Sequence, residues 1–228
     1  MVRLAALLAA FAQPAEACRL ALAIGLDTSV SVDADEDRLQ RQGLANALRA
    51  DEVRQAFLVS PDPVALLVYE WSDRDQQRDL SAWTLITDLA TLDAVAAEIE
   101  RSTRGAVAQQ TALGFALAYA AQRMEEAPDC IFQTIDIVGD GANNQGFSPQ
   151  TAYATMAFDS VIVNALAVET EDGNTTQYFT DSVIRGPGSF VETAMGFSDF
   201  EAAMRRKLVR ELTSQVLGRA DQITADRG

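Results

Sequence analysis

The sequence predicts an α/β fold in which a mostly parallel sheet lies between two layers of helices. Several short apolar runs have the length of strands that are buried on both faces. These runs alternate with longer segments whose apolar residues recur every three or four positions, as in amphipathic helices. Alternation of this kind is typical of a three-layer α/β domain, where ligands bind at the carboxyl ends of the strands.

The first predicted strand, residues 20–26, is an unbroken apolar run that stops at Asp27. Asp27, Ser29 and Ser31 stand at alternate positions, so a near-extended chain points their side chains the same way. One carboxylate and two hydroxyls suit a hard cation such as Mg²⁺, which prefers oxygen ligands. Acidic residues at 33 and 35–37 then indicate the N-terminal end of a helix, whose dipole favours negative charge.

The next elements also follow from their patterns. Leucines and alanines on one side predict a helix over 35–57, and the prolines at 61 and 63 mark its exit. Residues 64–71 form a second apolar strand. Residues 80–86 predict a short edge strand, and because only a brief polar loop precedes it, we expect it to pair antiparallel with its predecessor.

Two helices are predicted in the middle of the chain, over 88–101 and 112–126, with the polar segment 102–111 between them. A fully apolar strand over 131–138 follows and ends at Asp140, in the sequence Gly-Asp-Gly. Because parallel strands of this kind end at one edge of a sheet, we expect Asp27 and Asp140 to face each other across a single crevice.

The last third of the chain alternates in the same way. A proline at the first position predicts a helix over 149–158, and 161–168 is an apolar strand followed by a polar loop over 169–177. A short strand over 190–192 is expected after a Gly-Pro-Gly turn. Ser198 is expected to cap a final helix from Asp199 to about residue 217.

The two cysteines occupy matching places before these strand ends. Cys18 lies nine residues before Asp27 and Cys130 ten before Asp140, so parallel neighbouring strands would bring their sulfurs together. We expect a disulfide that closes a loop of roughly a hundred residues and contributes about 4 kcal/mol in the chain-entropy model. The alternative is a pair of buried free thiols.

Residues 1–17 have the pattern of a secretory signal, with Arg3, an apolar run, Pro14 and an Ala-Glu-Ala sequence before Cys18. We therefore expect an exported protein, periplasmic or secreted, with one mature domain over 18–228. The alternative is that Cys18 becomes a lipidated N-terminus, as in bacterial lipoproteins. No other stretch has the length and apolar composition of a membrane helix.

Composition excludes several classes of function. The formal charge of -15 and the sequence pI near 4.3 disfavour nucleic acid and anionic lipid as partners. The chain has no histidine, which removes Ser-His-Asp catalysis and the usual zinc sites. Its only lysine is Lys207, so no lysine-dependent phosphate chemistry is available upstream of that position.

The mature chain resembles a von Willebrand factor A (vWA) domain, through residues that fill the pattern of a metal-ion-dependent adhesion site (MIDAS). The DxSxS signature is Asp27-Thr28-Ser29-Val30-Ser31, the threonine on a later loop is Thr111, and the aspartate after the central strand is Asp140. The chain also resembles an uncharacterised branch of exported bacterial domains of this type. The segments that carry this resemblance are Tyr69-Glu70-Trp71, Trp83-Thr84-Leu85-Ile86 and Gly139-Asp140-Gly141-Ala142-Asn143-Asn144.

The resemblance implies a Rossmann-like fold and a binding function without catalysis. In similar sites the hydroxyls of the residues matching Ser29, Ser31 and Thr111 bind the metal directly, whereas Asp27 and Asp140 would act through water. A Mg²⁺ ion, or Mn²⁺ or Ca²⁺, would then stay under-neutralised and would bind an Asp or Glu carboxylate presented by a partner protein.

Two alternatives stay open. Asp27 and the segment 139–144 also resemble the nucleophile and late acidic motif of haloacid-dehalogenase-type phosphatases, in which Asp27 would accept a phosphoryl group beside Mg²⁺. That mechanism needs a lysine before the late motif, and this chain has none there. The other alternative is a metal-free scaffold that keeps the fold without using the site.

A few further residues have two interpretations each. Glu70 would lie near the metal or form a structural rim, and Asn143 and Asn144 would shape the loop beside the site or simply make a turn. Trp83 is expected to pack. A cluster of basic residues is expected on a solvated helix face; it comprises Arg205, Arg206, Lys207 and Arg210.

Overall fold

A computed structural model of the chain describes residues 18–105, 110–170 and 173–225, and from residue 215 onward the backbone alone. The predicted signal segment, residues 1–17, lies outside the described residues. The strands are β1 (Cys18–Asp27), β2 (Val64–Trp71), β3 (Gln77–Ile86), β4 (Cys130–Gly139), β5 (Val161–Val168) and β6 (Val191–Ala194). The helices are α1 (Ala34–Arg49), α2 (Asp51–Leu58), α3 (Leu89–Arg101), α4 (Leu113–Glu125), α5 (Pro149–Thr155), α6 (Thr175–Ser182) and α7 (Phe200–Ala225).

The six strands form one sheet in the order β3-β2-β1-β4-β5-β6. All neighbouring pairs are parallel except β2 and β3, which pair antiparallel at one edge. The predicted α/β fold, with a mostly parallel sheet and one antiparallel edge strand, is therefore confirmed. The carboxyl ends of the five parallel strands all lie at the same edge of the sheet.

Helices cover both faces of this sheet, and β1 is buried along its whole length. Because side chains alternate along a strand, Leu22 and Ile24 pack into a core with residues of α1, α2, α3 and α7. Ala21 and Ala23 pack on the opposite face, in a core with residues of α4, α5 and α6. This arrangement gives the three layers that the sequence predicts.

The predicted disulfide is also confirmed. Cys18 and Cys130 are register partners at the start of β1 and β4, with Cα atoms 4.3 Å apart, and their sulfurs are bonded. The sulfur of Cys18 is thereby engaged within the protein.

The predicted helix over 35–57 was wrong in one respect, because Ala50 interrupts it. Ala50 has an extended backbone, with φ of −66° and ψ of 138°, and separates α1 from α2. The turn allows Phe57 to pack into the core, and the guanidinium of Arg19 donates to the carbonyls of Ala56 and Phe57 at 2.6 and 2.9 Å. Alanine is a good helix former, so the break depends on this tertiary packing.

The prediction of a polar loop over 169–177 was wrong at its end, because α6 begins at Thr175. Glu169 caps that helix from a distance, because its carboxylate accepts hydrogen bonds from the backbone N–H groups of Thr175 and Thr176 at 3.4 and 2.9 Å. A capping side chain usually belongs to the residue directly before the first turn, whereas Glu169 lies six residues before Thr175. The eight residues of α6 also show no clear apolar repeat, so the sequence gives no local signal of this helix.

Several element ends also differ from the prediction. β3 begins before the expected residue 80, α5 ends before residue 158, and β6 lies slightly later than 190–192. Ser198 does not cap the last helix; it lies in a 3-10 turn, Phe197–Asp199, that precedes α7. None of the helices that the structure describes has the length and apolar composition needed to cross a membrane.

The expectation of a solvated basic face on α7 was wrong for Lys207. Its side chain is fully buried and forms ion pairs with Asp136 of β4 and with Glu211, one turn further along α7. Asn164 of β5 donates a hydrogen bond to the other oxygen of Glu211 at 2.8 Å. A buried ion cluster therefore joins α7 to the centre of the sheet.

Candidate metal site

The candidate site lies where β1 and β4 end side by side. Asp27 is the last residue of β1, and Asp140 directly follows β4. The backbone turns sharply after Asp27, whose Oδ1 accepts a hydrogen bond from the N–H of Ser29 at 2.7 Å. A second hydrogen bond fixes the turn to the neighbouring strand, since the N–H of Thr28 donates to the carbonyl of Trp71 at 2.8 Å.

Three side chains form a continuous chain of hydrogen bonds at this edge. The Ser31 hydroxyl donates to Oδ1 of Asp140 at 2.7 Å, and the oxygens of Ser29 and Ser31 lie 3.1 Å apart. Because Ser31 has only one hydroxyl hydrogen, Ser29 is the donor in the second contact. Both hydroxyl oxygens consequently keep lone pairs available to a cation. Ser29 is buried, whereas Ser31 is exposed to solvent.

Thr111 is anchored at the same sheet edge by its backbone. Its N–H donates to Oδ1 of Asn144 at 2.8 Å, and its carbonyl accepts from the N–H of Asn144 at 3.0 Å. The next N–H, of Ala112, donates to the carbonyl of Ser72 just after β2. Among the residues that the structure describes, no hydrogen bond joins the Thr111 side chain to Ser29 or Ser31.

The two carboxyl groups of the site are poorly compensated. Burial, and after it the charge of Asp140, raises the pKa of Asp27 to about 8, against the hydrogen bond from the backbone N–H of Ser29. Burial also raises the pKa of Asp140, against the hydrogen bond from Ser31. The second oxygen of Asp27, Oδ2, is buried without a hydrogen-bond partner. A bound cation would relieve both the repulsion and the missing contact.

The donor set fits a hard divalent ion. The described residues contain no group of three or more His, Cys, Asp or Glu side chains that could hold a metal, so a cation here would depend on the hydroxyls together with the two aspartates. Hydroxyl, carboxylate and water oxygens are the ligands that Mg²⁺ prefers. The orphaned Oδ2 of Asp27 is consistent with such an ion or with a water molecule bound to it.

The other candidates from the sequence have structural roles. Glu70 is buried, pairs with Arg41 and Arg78 at 2.5 and 2.6 Å, and serves as a structural rim. Asn143 and Asn144 shape the loop after β4, because their side-chain oxygens accept backbone hydrogen bonds from the start of α4 and from Thr111.

Trp83 packs as expected, and its indole N–H donates to the carbonyl of Arg123 at 2.8 Å. Sequence reasoning missed Arg104, whose guanidinium lies against the loop that carries Ser29 and whose charge lowers the pKa of Asp27 slightly. A single arginine in a polar segment carries no local signal of such a contact.

Comparison with solved structures shows the fold. The chain is similar to proximal thread matrix protein 1 (PTMP1) from the mussel byssus, with a TM-score of 0.61 and 15% identity over 86% of this chain and 48% of that chain. Another structure of that mussel protein has a zinc-occupied MIDAS motif. A von Willebrand factor type A protein from Catenulispora acidiphila matches with a TM-score of 0.59 and 14% identity, over 86% of this chain and 43% of that chain.

The pilus adhesin SpaC from Lactobacillus rhamnosus GG matches with a TM-score of 0.59 and 12% identity, over 88% of this chain and 31% of that chain. The chain thus spans less than half the length of these solved proteins, and the likeness establishes a vWA-like fold. No curated protein sequence matches the chain. A family model described as "Protein of unknown function (DUF1194)" matches residues 17–216, and the chain therefore belongs to the DUF1194 family.

Proposed function

We propose that this chain is an exported, metal-dependent protein-binding domain in which a Mg²⁺ ion binds a carboxylate of a partner protein. The ion would be held by Asp27, Ser29, Ser31, Thr111 and Asp140. The hydroxyls of Ser29, Ser31 and Thr111 would bind the ion directly, and the two aspartates would act behind them through water. Mn²⁺ or Ca²⁺ could occupy the same oxygen ligands.

One observation carries this proposal: the hydrogen-bond chain from Ser29 through Ser31 to Asp140, beside the orphaned carboxylate oxygen of Asp27. In this hydrogen-bond chain the Ser29 hydroxyl donates to Ser31 and the Ser31 hydroxyl donates to Asp140, so each hydroxyl oxygen keeps a lone pair that a cation could use. The aspartates supply carboxylate oxygens nearby, and within the described part of the chain no arginine or lysine forms an ion pair with either of them. An ion at this position would satisfy all these groups together.

A partner carboxylate follows from the charge of such a site. Hydroxyl ligands are neutral, so a divalent ion that they bind directly keeps affinity for an external anion. Ser31 and the neighbouring Val30 are exposed, with Val30 at 50%, so a side chain of another protein has access to the metal. The net charge of -15 disfavours phosphate-rich partners such as nucleic acid.

Export is proposed on independent grounds. The Cys18–Cys130 disulfide is of a kind that persists in oxidising compartments, which is consistent with a periplasmic or secreted protein. Two proteins that share the fold are described as a matrix protein of the mussel byssus and a pilus adhesin, and these descriptions are consistent with the proposed export.

Recognition is favoured over phosphoryl transfer by the position of Lys207. This residue is the only lysine of the chain, and its amine is committed to Asp136 and Glu211 inside the protein. A phosphatase of the haloacid-dehalogenase type would need such an amine beside Asp27 to hold the phosphoryl group.

Removing one direct ligand is expected to weaken metal binding while leaving the fold intact. Ser29→Ala and Thr111→Ala should each raise the dissociation constant for Mg²⁺ by about tenfold or more, because each variant removes one oxygen from a site with few ligands. Thermal unfolding with and without Mg²⁺ measures this, since saturation at 100 times the dissociation constant stabilises the wild type by about 2.7 kcal/mol.

Ser160→Ala is the matched control for these variants. Ser160 is exposed and precedes β5, at the opposite edge of the sheet, so its loss should leave Mg²⁺ binding unchanged. A wild-type protein whose unfolding does not respond to Mg²⁺, Mn²⁺ or Ca²⁺ would refute the proposal and favour the metal-free scaffold. Hydrolysis of a small phosphate ester that Asp27→Asn abolishes would favour the phosphatase instead.

Binding of a carboxylate to the ion can be tested with acetate as a minimal probe. Protein-bound Mn²⁺ that keeps water ligands enhances the relaxation of water protons, and acetate that replaces one of those waters should lower the enhancement. The same titration with Ser29→Ala should show little enhancement at equal Mn²⁺. An enhancement that acetate does not change would argue against carboxylate recognition while leaving metal binding in place.

A further inference from the structure

Arg104 makes three hydrogen bonds to one short loop, residues 28–33, which joins β1 to α1. Its Nη2 atom donates to the carbonyls of Thr28 and Ser29 at 2.6 and 2.7 Å, and its Nη1 atom donates to the carbonyl of Val32 at 2.7 Å. The contacts span the residues that carry both serine hydroxyls of the candidate site. A side chain far away in sequence thus holds almost the whole loop.

Arg104 is itself part of a segment with fixed neighbours. The N–H of Gly105 donates to Oε1 of Glu70 at 3.0 Å, and Arg41 donates to the hydroxyl of Ser102 at 2.7 Å. Glu70 and Arg41 are buried and paired with each other. Residues on both sides of Arg104, Ser102 through its hydroxyl and Gly105 through its N–H, are therefore attached to a buried ion network, which limits where the guanidinium can move.

Other hydrogen bonds hold single points of the loop, from Thr28 to the carbonyl of Trp71 and from Ser31 to Asp140, whereas Arg104 joins three of its carbonyls to one side chain. The N–H of Val32 donates to the carbonyl of Ser29 at 3.1 Å, and the N–H of Ser29 donates to Asp27. The guanidinium occupies three backbone carbonyls, which are themselves oxygen ligands for cations. With those three carbonyls engaged, the hydroxyls of Ser29 and Ser31, which lie in the hydrogen-bond chain to Asp140, are the oxygens of this loop that we assign to the metal.

We propose that Arg104 is the positioning residue of the metal site, which holds the loop of residues 28–33 in the shape that selects Mg²⁺ over Ca²⁺. Mg²⁺ requires near-ideal octahedral geometry and short distances, whereas Ca²⁺ accepts flexible and irregular ligand sets. A loop that Arg104 keeps rigid favours the smaller ion, and a loop without it loses that preference. This inference rests on the metal-binding function proposed above.

Arg104→Ala tests the inference through two measurements. The dissociation constant for Mg²⁺ should rise by about tenfold or more, while that for Ca²⁺ should rise by no more than about threefold, so their ratio shifts toward Ca²⁺. In the metal-free protein, the amide of Val32 should exchange its hydrogen about ten times faster. Arg104→Lys, which keeps the charge and one or two of the contacts, should recover part of both effects.

Arg101→Ala is the matched control, because Arg101 is an exposed arginine three residues earlier, at the end of α3. It should change neither the ratio of dissociation constants nor the exchange rate. Unchanged exchange at Val32 in Arg104→Ala would overturn the inference, and so would an equal loss of affinity for both ions. If the wild type binds no divalent ion, the proposed function fails, and with it the selectivity; the exchange rates of the metal-free protein then show separately whether Arg104 holds the loop.

Discussion

Replacing Lys207 by methionine is expected to lower the free energy of unfolding by about 3 to 5 kcal/mol, the range for removing one partner of a buried ion pair. The side chains of Lys207, Asp136 and Glu211 are almost completely buried, and the ammonium group contacts both carboxyl groups. It also lies 5.0 Å from the ring centre of Phe190. Methionine fills a similar volume but leaves two acidic groups in the core without their cation. Urea unfolding measures the loss.

The neighbouring Arg206 provides the control. It sits on the same helix, but its side chain is 52% exposed and its partners Glu192 and Asp199 are partly exposed. Surface ion pairs contribute about 0 to 1 kcal/mol, so Arg206→Met should stay within that range. If Lys207→Met were no less stable than Arg206→Met, the buried cluster would not be a main contributor to stability.

The same cluster predicts a dependence of stability on pH. Burial, and after it the charge of Glu211, raises the pKa of Asp136 well above its ordinary value. Burial alone would lower the pKa of Lys207, but the two carboxyl groups raise it. Asp136 therefore binds a proton more tightly in the folded protein than an ordinary aspartate does.

Above the ordinary pKa of an aspartate, about 4, the folded protein binds this proton more tightly than the unfolded chain does. The contribution of Asp136 to stability is then full below that pKa and falls as pH rises toward its raised folded value. Asp136→Asn removes the titration, so its unfolding free energy should decrease less than that of the wild type between pH 5 and 8. Parallel curves for the two proteins would contradict this assignment of the proton.

Removing the disulfide by Cys18→Ala together with Cys130→Ala is expected to cost about 4 to 5 kcal/mol of stability in the chain-entropy model. The two cysteines are 112 positions apart in sequence, so the bond closes a long loop and restricts the unfolded chain strongly. Both residues keep their register as neighbours on β1 and β4, and the folded structure should change little. Urea unfolding under non-reducing conditions gives the difference.

Reduction of the wild type supplies a second measurement of the same quantity. The wild type with a reducing agent should unfold at the urea concentration of the double variant, and the double variant should not respond to the reducing agent. A difference below about 1 kcal/mol would show that the unfolded chain is already compact enough to make the cross-link ineffective.

Most of the framework of the fold could be predicted from the sequence. Buried strands such as β1 and β5 are continuous apolar runs, and the amphipathic helices between them follow a local periodicity. The candidate metal residues Asp27, Ser29 and Ser31 could be selected because they stand at alternate positions after one strand. The near-extended chain expected there was wrong, because the backbone turns after Asp27, and hydrogen bonds of that turn bring Ser29 and Ser31 together. Asp140 could be added to these candidate residues because the predicted strands before Asp27 and Asp140 are parallel and end at the same edge of the sheet.

The elements that the sequence did not predict depend on distant partners. Ala50 interrupts a segment with good helix propensity because α2 must pack Phe57 against the sheet, and α6 begins where Glu169 caps it from outside its first turn. Neither feature has a local pattern, since the interactions responsible join residues that only the folded chain brings together.

The sequence by itself predicted the α/β fold, the disulfide between Cys18 and Cys130 and the set of oxygen-bearing candidate residues after the strands, because apolar periodicity and residue spacing are properties of the chain alone. Only the tertiary structure decided that Lys207 is buried with Asp136 and that Arg104 holds the loop of Ser29. Charged side chains are usually on the surface. Whether a particular one is buried depends on a partner of opposite charge or a carbonyl group that is distant in sequence, and no local pattern records that partner.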